Sequence, residues 1–269
     1  MQGRLSPKPS DRIQAFPRES WREEFERAQS LEFECIELIY DELYLVDNPL
    51  VSVSGRQELM ALSKRSGIAL ASICADYFMI HKLVERDSSK AKGIMAKTFE
   101  LLEIARQIKC PLVEFPFVDS SSLQDPKDRT LAVERLALVA EKASELGLRI
   151  AVETDLAPVE FRNFLNQLPK NVGANLDLGN SAALGYDALS ECRAFGDRIL
   201  NVHIKDRMLG GTTVPLLSGN TDFERAFKGL KASHYNEDFI LQTAPSEDYL
   251  GAAAKYRRMV KEWINNLCS

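Results

Sequence analysis

At 269 residues, with 45% hydrophobic and 27% charged side chains, the chain has the composition of a globular protein long enough to bury a sizeable core without cross-links. Its formal net charge of −5 offers no general attraction for nucleic acid, and no apolar run approaches the ~18 residues of a membrane span. Five scattered cysteines (Cys35, Cys74, Cys110, Cys192, Cys268) form no CxxC motif, and the N-terminus carries no secretion signal; reduced, mostly buried thiols in a cytoplasmic protein are the expectation.

In chain order, residues 1–5 read as the stub of a first strand. Ser20-Trp21-Arg22-Glu23 has the form of a capping box opening a helix, because a Ser hydroxyl and a Glu carboxylate can each satisfy an orphan backbone N–H. Short apolar or β-branched runs predict strands at 34–41, 68–77 and 111–118. A long helix follows over about 128–146, with Gly147 as its C-cap. Next come a strand at 149–155, a helix with Pro158 in its first turn, and strands at 172–178 and 199–205. Thr221-Asp222-Phe223-Glu224 repeats the capping pattern before a last strand at 238–244.

Strands that alternate with helices pair in parallel through right-handed crossovers. An open dinucleotide-binding sheet would carry an early GxGxxG turn, and none exists. The expectation is therefore an α/β fold, a (β/α)8 barrel with a short or truncated first strand, as a single domain over residues 1–269 without linkers.

Side chains alternate between the faces of a strand. In 149–155 the aliphatic Ile150 and Val152 turn outward, leaving Ala151, Glu153 and Asp155 inside. Asn175 and Asp177 are inward in 172–178, as are Asn201, His203 and Lys205 in 199–206, the aliphatics between them facing the helices. Glu37 and Glu114 obey the same rule. Several strands thus bring a charged or imidazole side chain to the inner face near their C-terminal ends, where barrel enzymes keep their chemistry. Buried charges need partners, water or a cation. An internal salt-bridge network satisfies that need, and so does a divalent ion held by two carboxylates and one imidazole, Glu153, Asp177 and His203. Such donors suit Mn²⁺, Co²⁺ or Mg²⁺ and admit Zn²⁺. His81 and His234 sit in loop or helix-end contexts and read as surface residues; Lys205 reads equally as a substrate contact or as the counter-ion of Glu153 or Asp206.

At these residues the sequence resembles the xylose isomerase-like TIM-barrel superfamily, in its sugar phosphate isomerase/epimerase group. The segments that carry the likeness are Met1-Gln2-Gly3-Arg4-Leu5-Ser6-Pro7, Ile36-Glu37-Leu38-Ile39-Tyr40-Asp41, Ala75-Asp76-Tyr77-Phe78-Met79, Val152-Glu153-Thr154-Asp155, Asn175-Leu176-Asp177-Leu178-Gly179-Asn180, Val202-His203-Ile204-Lys205-Asp206-Arg207 and Leu241-Gln242-Thr243-Ala244. The resemblance implies a metal held by Glu, Asp, His and a second Glu; Gln242 stands at the fourth position. Two further departures are Leu217-Ser218-Gly219 in a mouth loop and Pro245 where an Arg is common.

The implied function is that of a metal-dependent isomerase or epimerase acting on a small sugar, sugar phosphate or related polyhydroxy-carbonyl compound through an enediolate. Glu153 would be ligand and base, Asp177 and His203 ligands, and Gln242 a weak fourth ligand or substrate partner. Arg4, Glu114, Asn180, Lys205 and Arg207 are the candidate substrate contacts. An amide cannot exchange a proton near neutral pH, so Gln242 tilts the reading from two-base epimerisation toward one-base isomerisation or a lyase or dehydratase relative. The competing reading is a metabolite-binding barrel with a decayed site. A DNA-repair endonuclease would need more than three histidines and a basic surface. Self-association is left open.

Overall fold

A computed structural model describes residues 1–8 and 14–268. Among these residues, ten α-helices and nine strands follow in the order α1 (Glu23–Ser30), β1 (Cys35–Ile39), α2 (Val53–Ser66), β2 (Ala69–Cys74), α3 (Tyr77–Ile80), α4 (Ser88–Gln107), β3 (Leu112–Phe117), α5 (Pro126–Glu145), β4 (Arg149–Thr154), α6 (Pro158–Leu165), β5 (Val172–Asp177), α7 (Leu178–Leu184), α8 (Ala188–Phe195), β6 (Ile199–Ile204), β7 (Asp206–Arg207), β8 (Thr213–Val214), α9 (Phe223–Ala232), β9 (Phe239–Leu241) and α10 (Tyr249–Cys268), with short 3₁₀ turns between. Seven strands pair in parallel in the order β1-β2-β3-β4-β5-β6-β9, while β7 and β8 form a small antiparallel ribbon at the mouth.

The N-terminal segment closes the ring. Met1 N donates to Cys35 O at 3.2 Å, Glu37 N to Met1 O at 3.0 Å, and Gln2 N to Leu241 O at 3.2 Å. Residues 1–2 thus bridge β9 to β1 and serve as the short first strand of an α/β barrel. No helix among the described residues is long and apolar enough to cross a membrane.

Local chemistry explains most boundaries. The predicted 128–146 helix begins earlier, at Pro126, because Asp125 caps it through Lys127 N at 2.9 Å; it ends as expected at Gly147, whose φ of 70° suits glycine. Both predicted capping boxes fail. Ser20 Oγ bonds Ser6 Oγ at 2.8 Å instead of a helical N–H, and α1 starts at Glu23 with no side-chain cap. Asp222, not Thr221, caps α9 through Arg225 N at 3.0 Å, because the Thr221 hydroxyl is spent on Lys205 O at 3.2 Å. In both cases a tertiary partner outcompeted the local one.

The main core lies between the sheet and the helices and includes Ile73, Val113 and Val152 on strands with Leu101, Leu136 and Phe227 on helices. Two separate small clusters, Cys35–Ala71–Ile240 and Leu112–Ala151–Leu200, fill the floor of the barrel beneath the polar residues. Leu200 overturns the strict alternation expected for 199–206. The register between β5 and β6 shifts at Ala174/Asn175, and Leu200 packs where a Cβ on Gly173 would lie 2.5 Å from its Cγ. Cys35, Cys74, Cys110 and Cys192 are buried and unpaired; the thiol of Cys268 lies outside the described side chains.

Candidate metal centre

Two residues above the apolar floor, successive strands turn a polar side chain inward: Glu37 on β1, Glu114 on β3, Glu153 on β4, Asn175 and Asp177 on β5, Asn201 and His203 on β6, and Gln242 after β9. All are buried. Pairing sets their heights, since Asp177 sits opposite His203 and Pro116 opposite Glu153. Above them opens a cavity of about 770 Å³, a volume fit for a small metabolite.

His203, fully enclosed, joins two groups of carboxylates. On one side Nδ1 lies 3.7 Å from Glu153 Oε2 and 3.8 Å from Asp177 Oδ2; on the other Nε2 pairs with Glu37 Oε1 at 2.9 Å and has Glu114 Oε2 4.0 Å away. Amide side chains hold the acids in place. Asn175 Nδ2 donates to Glu153 Oε2 at 2.8 Å, Asn201 Nδ2 to Glu37 Oε2 at 3.0 Å, and Ser72 Oγ to Glu37 Oε2 at 2.6 Å. Asn180 donates its side-chain amide to Glu153 Oε1 and its backbone N–H to Asp177 Oδ1 at 2.8 Å. The latter bond makes Asp177 the N-cap of α7, so one residue ends β5 and starts the next helix.

Gly179 is required at the approach of α7 to β6: an added Cβ would sit 2.7 Å from Lys205 Cγ. That contact lets Lys205 Nζ reach Asp177 Oδ2 at 3.1 Å and Gln242 Oε1 at 2.7 Å. Asp177, rather than Glu153 or Asp206, is therefore the acid partner of Lys205. Asp206 accepts from Gly219 N and Thr221 N instead.

The charges divide sharply. Burial and the neighbouring Asp177 raise the pKa of Glu153 above the ordinary carboxylate value. Burial likewise pushes Glu114 well up, and neither of its oxygens has a hydrogen-bond partner among the described residues. Burial opposes ionisation of Asp177 too, but Lys205 and His203 hold it well below the usual carboxylate range. Burial also opposes a charged His203, yet Glu37, Asp177 and Glu114 outweigh it and raise that pKa well above an ordinary imidazole.

One ligand atom each from Glu153, Asp177 and His203 falls within 4.8 Å of the others, and a second such group is Glu37, Glu114 and His203. The first group fits a divalent cation chemically. Its donors are two carboxylates and an imidazole, Glu153 lines the cavity with Asp177 and His203 buried beside it, and Glu37 beside Nε2 holds a ring proton there, so that Nδ1 is the atom that would bind a metal once its own proton is displaced. Excess negative charge in a buried site also needs a cation.

The other sequence candidates are distributed unevenly. Asn180, Lys205, Arg207, Glu114 and Gln242 line the same cavity. Gln242 holds its oxygen on Lys205. Arg207 donates to Asn180 Oδ1 at 2.7 Å and to Gly211 O through Nε and Nη2 at 3.1 and 2.7 Å. Arg4 is not part of this wall. It is buried elsewhere, donating Nε to Thr243 O at 2.6 Å beside Pro245, because closure of the barrel draws residues 1–5 beneath the loop that follows β9. His234 is exposed as expected, while His81 is half-buried, stacked on Tyr77 and 3.1 Å from Glu42. Sequence reading placed Glu37 inside without assigning it to His203; the shared inward phase was visible, but contact across the barrel was not.

A family profile described as xylose isomerase-like TIM barrel matches residues 25–263. The chain is 27% identical over 266 residues to L-ribulose-5-phosphate 3-epimerase UlaE of Escherichia coli O157:H7, an alignment covering 90% of this chain and 89% of that one. Among solved structures, D-psicose 3-epimerase from Clostridium cellulolyticum H10, crystallised with D-tagatose, superposes with a TM-score of 0.76 at 15% identity over 100% of this chain and 98% of that one. A xylose isomerase-like TIM barrel protein from Mycobacterium smegmatis in complex with magnesium gives 0.72 at 19% identity, over 98% and 95%. With its closed barrel, its inward acids and a family match running over most of its length, the chain belongs to the xylose isomerase-like TIM barrel family, in the sugar isomerase and epimerase group.

Proposed function

We propose that this protein is a metal-dependent isomerase or epimerase that takes a proton from the carbon beside the carbonyl of a small polyhydroxy-carbonyl compound and returns one, to the adjacent carbon or to the opposite face of the same carbon, through an enediolate. The observation that carries the reading is the convergence of Glu153, Asp177 and His203 at the base of an open cavity. These three residues would hold one divalent cation, Mn²⁺, Co²⁺ or Mg²⁺ by donor type, with Zn²⁺ also compatible. When bound, such an ion polarises a carbonyl as a Lewis acid.

The chain's own residues do the rest. Glu153 is the base: burial and the neighbouring Asp177 raise its pKa above that of an ordinary carboxylate, which makes it a stronger proton acceptor. Asn175 and Asn180, one on each oxygen, fix its plane. Glu114 lies buried in the cavity wall with two unpartnered oxygens among the described residues, and Lys205, Arg207 and Asn180 line the same space. Gln242 cannot serve as a second base, so a single carboxylate working on one face of the substrate, as in aldose–ketose isomerisation, fits better than two-base epimerisation. Relatives named as 3-epimerases keep epimerisation as the variant outcome of the same assay.

Metal-loaded protein incubated with a panel of ketoses, aldoses and their phosphates in D₂O tests this. Deuterium incorporation with product isomer is the expected result; absence of exchange in a protein shown to hold metal would sink it. A decayed, binding-only barrel is the second reading, favoured by the Gln242 oxygen being occupied by Lys205. Exchange that appears only in Gln242→Glu would support that reading, and exchange in the parent would remove it.

A further inference from the structure

The cavity wall is charged in one direction. Seven of its residues are Asp or Glu, five of them (Asp41, Glu42, Asp76, Asp119, Asp155) above the candidate metal centre. Among the described residues its two cations, Lys205 and Arg207, are both engaged: Lys205 by Asp177 and Gln242, Arg207 by Asn180 and Gly211. Among the described residues, acids thus outnumber cations in the wall by seven to two.

Several backbone donors nearby are also taken. Barrel enzymes often seat a phosphate on the loops after their seventh and eighth strands and on a nearby helix N-terminus. Here those strands are β6 and β9. After β6, Asp206 takes Gly219 N at 2.9 Å and Thr221 N at 3.0 Å, and Asp222 takes the first turn of α9 through Arg225 N. Gly219 has to be glycine there, since a Cβ would lie 2.3 Å from Asp206 Oδ1. After β9 the loop carries Pro245, which has no N–H, and Asp248 occupies the start of α10 through Gly251 N at 2.9 Å. Protein carboxylates thus occupy Gly219 N, Thr221 N, Arg225 N and Gly251 N, donors that a phosphate would otherwise compete for. Arg4, the buried guanidinium on this side, lines a separate void of only about 10 Å³, no more than one water wide.

We infer that the cavity accepts an unphosphorylated, non-anionic sugar and discriminates against its phosphate ester, unlike the ribulose-5-phosphate epimerase it resembles. The inference rests on the isomerase or epimerase reading for its chemistry, but not for its charge argument. The test uses the Mn²⁺-loaded full chain and matched pairs, a ketopentose or ketohexose and its terminal phosphate, at low and high NaCl. Like charges facing one another disfavour the ester, so kcat/KM is expected to be at least about tenfold higher for the free sugar. Screening predicts that salt raises kcat/KM for the ester and leaves the free sugar unchanged. A preference for the ester, or an ester rate that falls with salt, overturns the inference. Should no pair exchange, the functional reading fails by itself, and calorimetric titration of the same sugars and of inorganic phosphate decides the charge question. Tighter binding of the free sugar supports the inference. Tighter binding of the ester, or binding of inorganic phosphate with no free sugar bound, defeats it.

Discussion

In the proposed mechanism Glu153 and His203 divide the work, one as a carboxylate held by two amides, the other as a buried ring clasped between two pairs of acids. Replacing Glu153 with Gln keeps the shape and one of the two amide contacts but removes the proposed base. Solvent-deuterium exchange should fall by about 10²–10⁴-fold while circular dichroism stays as in the parent. Glu37 acts one step back, through the imidazole. Glu37→Gln removes the charge facing Nε2 and should weaken Mn²⁺ binding by about 10–100-fold in calorimetry. Because the acids around His203 raise its pKa, the ring holds a proton that a metal must displace. Metal affinity should therefore rise with pH and fall on acidification, and a flat profile would argue that the imidazole is not a ligand.

Elements position these groups through close contacts that leave little slack. The α7–β6 approach at Gly179 is one of them, and Gly179→Ala should push Lys205 from Asp177 and Gln242 at a cost of about 1–3 kcal/mol, read as a lowered denaturation midpoint. On α8, Glu191 is buried with one oxygen on Ser181 Oγ at 2.8 Å and the other without a partner; burial raises its pKa from the ordinary 4.5 to about 8. The folded state then binds more protons than the unfolded one between those values, so stability from this group is complete below pH 4.5 and is lost as pH rises through about 8. Glu191→Gln should flatten that loss and exceed the parent by about 1–3 kcal/mol at pH 8.5, measured by urea denaturation across pH. Element boundaries were legible where the signal was local, as at Pro158 and Gly147. They were not legible where a hydroxyl had a distant alternative: Ser20 found Ser6, and Thr221 found Lys205.

Across the whole molecule, period-two alternation on seven strands was enough to anticipate a parallel barrel and the inward set Glu37, Glu114, Glu153, Asp177 and His203. The one-residue slip at β5–β6 broke the rule for Leu200 without disturbing Asn201 or His203, because the irregularity lies below them. What alternation cannot supply is distance around the ring. It gave no hint that Glu37 pairs with His203, that Lys205 serves Asp177, or that Arg4 turns away from the cavity. Those depend on closure by residues 1–2 and on the radius that closure sets. The most direct test is a crystal of the purified protein soaked with Mn²⁺ and measured at a wavelength where manganese scatters anomalously. A single strong peak within bonding distance of Glu153, Asp177 and His203 Nδ1 is the predicted result; a peak elsewhere, or none while the crystal remains ordered, would contradict the account.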